Sequence, residues 1–95
     1  MNNIEKIVIK AINSELKETK RSLKIDKEGK WKDADFNADL GMDSLKVVEA
    51  FLVCEKECGI TFTDDEITKT KTPEELINKI QEKLINKIQE KIKLI

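Results

Sequence analysis

The sequence predicts an all-α fold: a four-helix bundle with a short third helix and an extended C-terminal helix. Apolar residues recur at three- and four-residue steps over long stretches of the chain, a spacing typical of amphipathic helices. Residues that commonly cap helices precede these stretches. The chain has 95 residues, a length that supports one small hydrophobic core, so we expect one domain.

The first helix is predicted over residues 3–20, with Asn2 or Asn3 as its N-cap. Its outer face is basic, whereas its inner face is apolar. The inner face consists of six residues at helical spacing: Ile4, Ile7, Val8, Ala11, Ile12 and Leu16. This face is expected to pack into the core.

Residues 22–40 show no sustained helical period and include Gly29 and four Asp residues, so we predict a long loop. Loops of this length are usually functional or mobile. The candidate anchors of the loop in the core are Leu23, Ile25, Trp31 and Phe36.

Two helices follow the loop. The second is predicted over residues 44–57 and ends at Gly59, because glycine readily adopts the left-handed conformation that follows a helix. A third, very short helix is predicted over residues 64–68, with Thr63 as its N-cap and an acidic first turn.

The fourth helix has the clearest start, because Thr72 can cap it, Pro73 suits its first position and Glu75 completes a capping box. An octapeptide, LINKIQEK, then occurs twice in succession, at residues 76–83 and 84–91. An eight-residue repeat shifts its apolar stripe by about 40° per repeat around an α-helix. One small domain cannot cover such a stripe over its whole length.

We therefore predict a domain over residues 1–83 and a C-terminal helical extension over residues 84–95. The second octapeptide is expected to project, to fray or to meet a partner. The simpler alternative is a duplication without a dedicated role, since chain termini tolerate change.

The formal net charge of −1 conceals an uneven distribution. Residues 1–32 carry a net charge of +4, residues 33–66 carry −8 and residues 67–95 carry +3. An acidic centre of this kind favours encounters with basic partner surfaces. The basic flanks contain acidic residues and lack interleaved aromatic residues, so nucleic-acid binding is not expected.

Composition excludes several further classes. The chain has no histidine, and its only thiols are Cys54 and Cys58, so catalytic triads, histidine-ligated metals and a disulfide framework lack their components. We expect a non-catalytic protein with no metal site. No apolar run approaches the roughly 20 residues that cross a bilayer. A cytoplasmic, monomeric protein without stable membrane association is expected.

The segment Asp43-Ser44 lies where the long loop meets the second helix. A serine in the first turn of a helix has its hydroxyl near unpaired backbone amides at the positive end of the helix dipole, where a phosphodiester is favoured. From these residues alone, the pair also fits a plain N-cap with no further role.

The wider pattern supports the functional interpretation. The segments LGMDSL at 40–45, VVE at 47–49, EKE at 55–57, GITFTDDE at 59–66 and TPEELI at 72–77 closely resemble the acyl carrier protein family. The resemblance covers residues 4–83 and includes the order and spacing of all four helices. It implies a carrier of acyl intermediates as thioesters, in fatty-acid or specialised acyl or polyketide-type biosynthesis.

The resemblance also implies the site. Ser44 matches the serine that bears a covalent 4'-phosphopantetheine arm derived from coenzyme A, and Asp43 and Leu45 match its flanking positions. Implied partners are a phosphopantetheinyl transferase and acyl-transfer, acyl-activating or ketosynthase-type enzymes. The residues expected to take part in partner recognition are Asp39, Met42, Lys46, Glu49, Glu55, Lys56 and Glu57.

The sequence departs from the family at several positions. Lys46 and Lys56 are the only basic residues of the acidic centre, which indicates a partner set different from the usual one. Cys54 and Cys58 stand where larger apolar residues are usual. We expect both to be core residues, and we hypothesise that, with Phe51 nearby, they reshape the cavity that shelters an acyl chain.

Two alternatives remain open. Residues 33–44 resemble an EF-hand calcium loop, with oxygen-bearing side chains from Asp33 to Asp43, but Ala38 replaces the turn glycine and Ser44 replaces the closing glutamate. The second alternative is an unmodified subunit that keeps the carrier fold and acts only through protein interactions. The intact Asp43-Ser44-Leu45 triplet argues against this second alternative.

Overall fold

The computed structural model describes the backbone of residues 1–93 and the side chains of residues 1–91. The described residues form, in chain order, α1 (Asn3–Leu16), a short 3₁₀ helix (Lys30–Asp33), α2 (Ser44–Cys58), α3 (Asp64–Lys69) and α4 (Pro73–Lys93). The predicted all-α class, with a short third and a long fourth helix, is confirmed. No helix within residues 1–93 is both long enough and apolar enough to cross a membrane.

The helix starts lie where the capping residues predict them. Asn2 Oδ1 accepts a hydrogen bond from the Glu5 amide at 2.8 Å, and the Glu5 carboxylate accepts one from the Asn2 amide. Thr63 and Glu66 form the same reciprocal capping box at α3. Because such contacts span only three residues, local sequence is sufficient to fix these starts.

The end of α1 differs from the prediction. The helix ends at Leu16 instead of continuing to residue 20, because the backbone amide and the hydroxyl of Thr19 both donate to the Leu16 carbonyl, at 3.0 and 2.9 Å. These bonds occupy the Leu16 carbonyl, which would otherwise accept a hydrogen bond from a later amide if the helix continued.

The predicted loop contains the 3₁₀ helix. The Asp26 carboxylate accepts hydrogen bonds from the backbone amides of Lys30 and Trp31, both at 2.9 Å, and Trp31 is buried. Leu23 and Phe36 are also buried, as predicted, whereas Ile25 is exposed. Three of the four predicted residues therefore anchor the loop to the core, and Leu40 is buried there as well.

Phe51 of α2 lies at the centre of the core and is completely buried. Its ring makes edge-on contacts with Phe36 of the loop and Phe62 of the α2–α3 link, with centroids 6.3 and 5.1 Å away. Such pairs add to the stabilisation that burial itself provides. One aromatic side chain thus connects the segments on either side of α2.

The α4 helix is continuous across the junction of the two octapeptides. Ile80 of the first copy is fully buried, whereas its counterpart Ile88 is 59% exposed. Two contacts extend into the second copy: Leu84 packs against the core, and Lys87 Nζ donates to the Gly59 carbonyl at 2.6 Å. The predicted boundary after residue 83 is not marked by any change in the helix. Residues 94 and 95 lie outside the described residues.

The α3 helix is attached to α4 by an ion pair. Glu66 Oε1 lies 2.8 Å from Lys83 Nζ, and Glu66 Oε2 lies 3.7 Å from Lys79 Nζ. Glu66 and Lys83 are each only about one-fifth exposed. The hydrogen bond from Lys83, followed by that from the Thr63 amide, lowers the pKa of Glu66 to about 2. We call Glu66, Lys79 and Lys83 the α3 clamp.

The α3 clamp makes stability depend on pH. The folded-state pKa of Glu66 lies below its ordinary value of 4.5, so the clamp's contribution is complete above that value and decreases as the pH falls toward 2. Replacing Glu66 by Gln should lower the free energy of unfolding at neutral pH by about 1–2 kcal/mol, allowing for solvent screening. Urea unfolding measures this. At about pH 3 the difference in the free energy of unfolding between the two chains should fall below half of its value at neutral pH. A difference independent of pH would contradict the lowered pKa of Glu66.

Candidate functional site

Ser44 is the first residue of α2, and its side chain is exposed. Asp43, the N-cap, accepts a hydrogen bond from the Lys46 amide at 2.9 Å. The cap is therefore provided by Asp43, and the Ser44 hydroxyl is not needed for it. This hydroxyl lies at the positive end of a 15-residue helix, where a phosphodiester on the same oxygen would be stabilised.

The loop that precedes Ser44 is fixed by hydrogen bonds within the loop and by a hydrogen bond from Arg21 at the surface. The Met42 amide donates to the Phe36 carbonyl at 2.9 Å, and Asn37 Nδ2 donates to the Met42 carbonyl at 3.2 Å. On the outside, Arg21 Nη1 donates to the Asp39 carbonyl at 3.2 Å. These contacts fix the backbone on which the first turn of α2 is built.

Gly41 allows this arrangement. Its φ of +66° lies in the left-handed region, where other residues are strained. A Cβ at this position would also lie 3.1 Å from Arg21 Nη1. The glycine therefore permits both the turn and the close approach of the guanidinium group.

Met42 requires a correction. Sequence reasoning assigned it to partner recognition, but its side chain is completely buried. Met42 packs in the core with Phe51 and holds the loop in place from inside. A partner cannot touch it in this conformation. The sequence around residue 42 has no helical period that would predict a buried side chain, because the burial of Met42 arises from tertiary packing.

A pocket of about 200 Å³ opens beside Ser44. Its walls come from α2, α3, the link between α3 and α4, and the loop before Ser44. The lining residues are Asp35, Phe36, Asn37, Ser44, Val47, Val48, Ile67, Thr68, Thr70 and Lys71. A group attached to Ser44 thus has a partly apolar pocket next to it.

The acidic residues predicted for recognition fall into two sets. Glu49 and Glu57 are exposed, and Glu57 lies 3.2 Å from Lys10 in an exposed ion pair. Glu55 has a structural contact instead, because its Oε2 accepts a hydrogen bond from the Phe62 amide at 2.6 Å. Asp39 is exposed, but its Oδ2 accepts from the Asp35 amide at 2.7 Å.

The two lysines of the acidic centre also differ. Lys46 Nζ donates to the Glu15 carbonyl at 3.3 Å, so its side chain is directed back toward α1. Burial and the nearby Glu49 raise the pKa of Glu15, which Lys46 partly offsets. Lys56 is exposed on α2. It contributes positive charge to the surface of that helix.

Sequence reasoning missed an exposed apolar stripe on α2. Leu45, Val48 and Leu52 are 65%, 37% and 53% exposed. Of these, only Leu45 was predicted to belong to the site. Their spacing of three and four residues places them on one face of a helix, and this spacing was a signal available from the sequence. Together with Glu49, they make α2 a mixed apolar and acidic surface.

The cysteines are structural. Cys54 is completely buried and Cys58 is half-buried, and both are free thiols. Burial raises the pKa of Cys54 to about 12 and also raises that of Cys58, so neither is a reactive thiolate at neutral pH. Neither residue lines the pocket beside Ser44, so the hypothesis that they shape it is not supported.

The calcium alternative lacks a matching geometry. Asp35 Oδ1 accepts hydrogen bonds from the amides of Asn37 and Ala38, at 2.9 and 2.8 Å, and the carboxylates of Asp39 and Asp43 also bind backbone amides. Within the described part of the chain, no three acidic or thiol side chains converge as a metal site would require.

Comparison with known proteins gives a consistent result. The family described as "Phosphopantetheine attachment site" matches residues 10–80. An acyl carrier protein of Rickettsia bellii (strain RML369-C) is 35% identical over 81 residues, which are 85% of this chain and 86% of the relative. An acyl carrier protein of Petrotoga mobilis is 40% identical over 57 residues, 60% of this chain and 67% of the relative. No solved structure matches the chain.

The family match covers most of the chain and includes Ser44, the loop before it and the pocket beside it. Members of this family are non-catalytic carriers with a covalently attached 4'-phosphopantetheine, and they interact with phosphopantetheinyl transferases and acyl-handling enzymes. The exposed hydroxyl at the start of α2 fits such a group. The chain belongs to the acyl carrier protein family.

Proposed function

We propose that the chain carries acyl intermediates as thioesters on a 4'-phosphopantetheine arm attached to Ser44. The observation that carries this proposal is the exposed Ser44 hydroxyl at the start of α2, directly beside a partly apolar pocket. When bound, the arm supplies a thiol that holds the acyl group. Fatty-acid synthesis or a related specialised acyl or polyketide-type pathway would use such a carrier.

Attachment of the arm requires an accessible nucleophile. The Ser44 oxygen would form a bond to the β-phosphorus of coenzyme A on a transferase, adenosine 3',5'-bisphosphate would leave, and the hydroxyl proton would go to a base of that enzyme. Asp43 contributes by capping α2, which keeps the serine at the helix terminus. Leu45, 65% exposed, is available for contact with the transferase.

Partner enzymes would bind to the surface of α2. Glu49 and Glu57 offer negative charge to basic partner surfaces, and such attraction speeds encounter and orients docking. Lys56 adds a positive charge that the partners must accommodate. Weak, salt-dependent contacts suit a carrier that has to leave each enzyme after visiting it. We further propose a monomeric state, a cytoplasmic location and a division into residues 1–83 and an extension from residue 84.

Intact mass spectrometry tests the proposal. The protein is incubated with coenzyme A, magnesium and a broad-specificity phosphopantetheinyl transferase, and its mass should increase by one arm. The chain contains three serines, Ser14, Ser22 and Ser44, all exposed. Proteolysis and fragmentation should find the arm on Ser44 alone. No mass increase, or an arm on another serine, would contradict the proposal.

A further inference from the structure

The pocket beside Ser44 is small. Its volume of about 200 Å³ lies below the roughly 300–1,000 Å³ of common ligand pockets. The pocket ends against α3, which contributes Ile67 and Thr68 to its wall. The length of acyl chain that fits therefore depends on the position of α3.

The α3 helix has little packing of its own. It is six residues long, and none of its residues is fully buried. Isolated helices of this length are unstable in water, so tertiary contacts must hold it. Both of its flanking links are attached to the core, through Phe62 on one side and Thr70 on the other.

The strongest polar contact between α3 and another helix is the α3 clamp. Lys83 Nζ lies 2.8 Å from Glu66 Oε1 and 5.5 Å from the centre of the Phe62 ring, and Lys79 approaches the other carboxylate oxygen at 3.7 Å. Glu66 also completes the capping box that begins α3. Partial burial shields this pair from solvent, so it contributes more than an exposed pair does.

We infer that the α3 clamp determines the size of the acyl group that this carrier shelters, by fastening α3 to α4 and so fixing the α3 wall of the pocket, which then accommodates short chains. The residues responsible are Glu66, Lys79 and Lys83, none of which is itself a lining residue of the pocket. They position Ile67 and Thr68, which do line it. The part of this inference that concerns the acyl group rests on the proposed function of Ser44.

The tandem octapeptide supplies a matched control. Lys83 and Lys91 occupy the same place in the two identical copies. Lys83 contacts Glu66, whereas Lys91 lies on the exposed part of α4, beyond the domain core. Replacing either lysine by Met removes the same charge from the same local sequence. Only the change at Lys83 should affect α3.

The first measurement uses the unmodified protein. Amide hydrogen exchange of residues 64–69 should be about fivefold faster in the Lys83→Met chain than in the Lys91→Met chain, while α1 and α2 exchange alike in both. Equal exchange of α3 in the two chains would overturn the inference. If Lys83→Met accelerates exchange throughout the chain, the Glu66→Gln chain is used instead, and its exchange at residues 64–69 is compared with that of the Lys91→Met chain. Gln at position 66 keeps the capping box of α3.

The second measurement uses chains loaded with butyryl or octanoyl thioesters. The ratio of the octanoyl-thioester lifetime to the butyryl-thioester lifetime, measured during cleavage by hydroxylamine, should increase by about threefold in Lys83→Met. In Lys91→Met the ratio should stay at the wild-type value. An unchanged ratio in Lys83→Met would overturn the link to chain length. Failure of the proposed function is recognised separately, because no arm would then be added to any chain, whereas the exchange result does not depend on the arm.

Discussion

Replacing Ser44 by Ala should abolish attachment of the phosphopantetheine arm and leave the chain folded. The hydroxyl is exposed and Asp43 provides the helix cap, so the fold does not depend on it. We expect the free energy of unfolding to change by no more than about 0.5 kcal/mol. Intact mass spectrometry after transferase treatment tests the loss of attachment, and urea unfolding measures the change in the free energy of unfolding.

The matched control for this change is Ser22→Ala, which removes another exposed serine from the loop. It should accept the arm at the wild-type rate. Addition of an arm to the Ser44→Ala chain would exclude Ser44 as the sole attachment residue. Loss of attachment together with loss of helical circular dichroism would show that Ser44 is needed for folding.

Replacing Phe51 by Ala should give the largest loss of stability. The ring is completely buried and contacts both Phe36 and Phe62, so its removal leaves a cavity that the surroundings fill only in part. The expected loss is about 3–5 kcal/mol in the free energy of unfolding. This is a large fraction of the stability of a small domain, and urea unfolding would measure it.

The neighbouring residue provides the comparison. Leu52 is 53% exposed on the same helix, and its replacement by Ala should cost about 0.5 kcal/mol or less. Similar losses for the two variants would mean that Phe51 is not the centre of the core. A selective loss at Phe51 would support the connection that this ring makes between the loop and the α2–α3 link.

The helix starts could be predicted because their determinants are local. Asn2, Asp43 and Thr63 each bind an amide three residues later, so the residue types and their spacing are sufficient. The position of Ser44 at the start of α2 followed from the same local rule. The fold class followed from the spacing of the apolar residues.

The remaining features depend on contacts between distant segments. Glu66 and Lys83 are 17 positions apart, and nothing in their local sequence indicates that the two helices meet there. The burial of Met42 likewise depends on the position of the loop. Sequence therefore identified the attachment residue that we propose, whereas the limits of the pocket required the structure.

The repeat in α4 also has an evolutionary consequence. Its two octapeptides are identical, so loss of one copy by unequal recombination would leave the same residues at the buried positions Leu76, Ile77 and Ile80. Such a deletion would change the position of Leu84, which packs against the core, and would remove the contact between Lys87 and Gly59. The helix could thus lose two turns while the buried residues of its first copy stay the same.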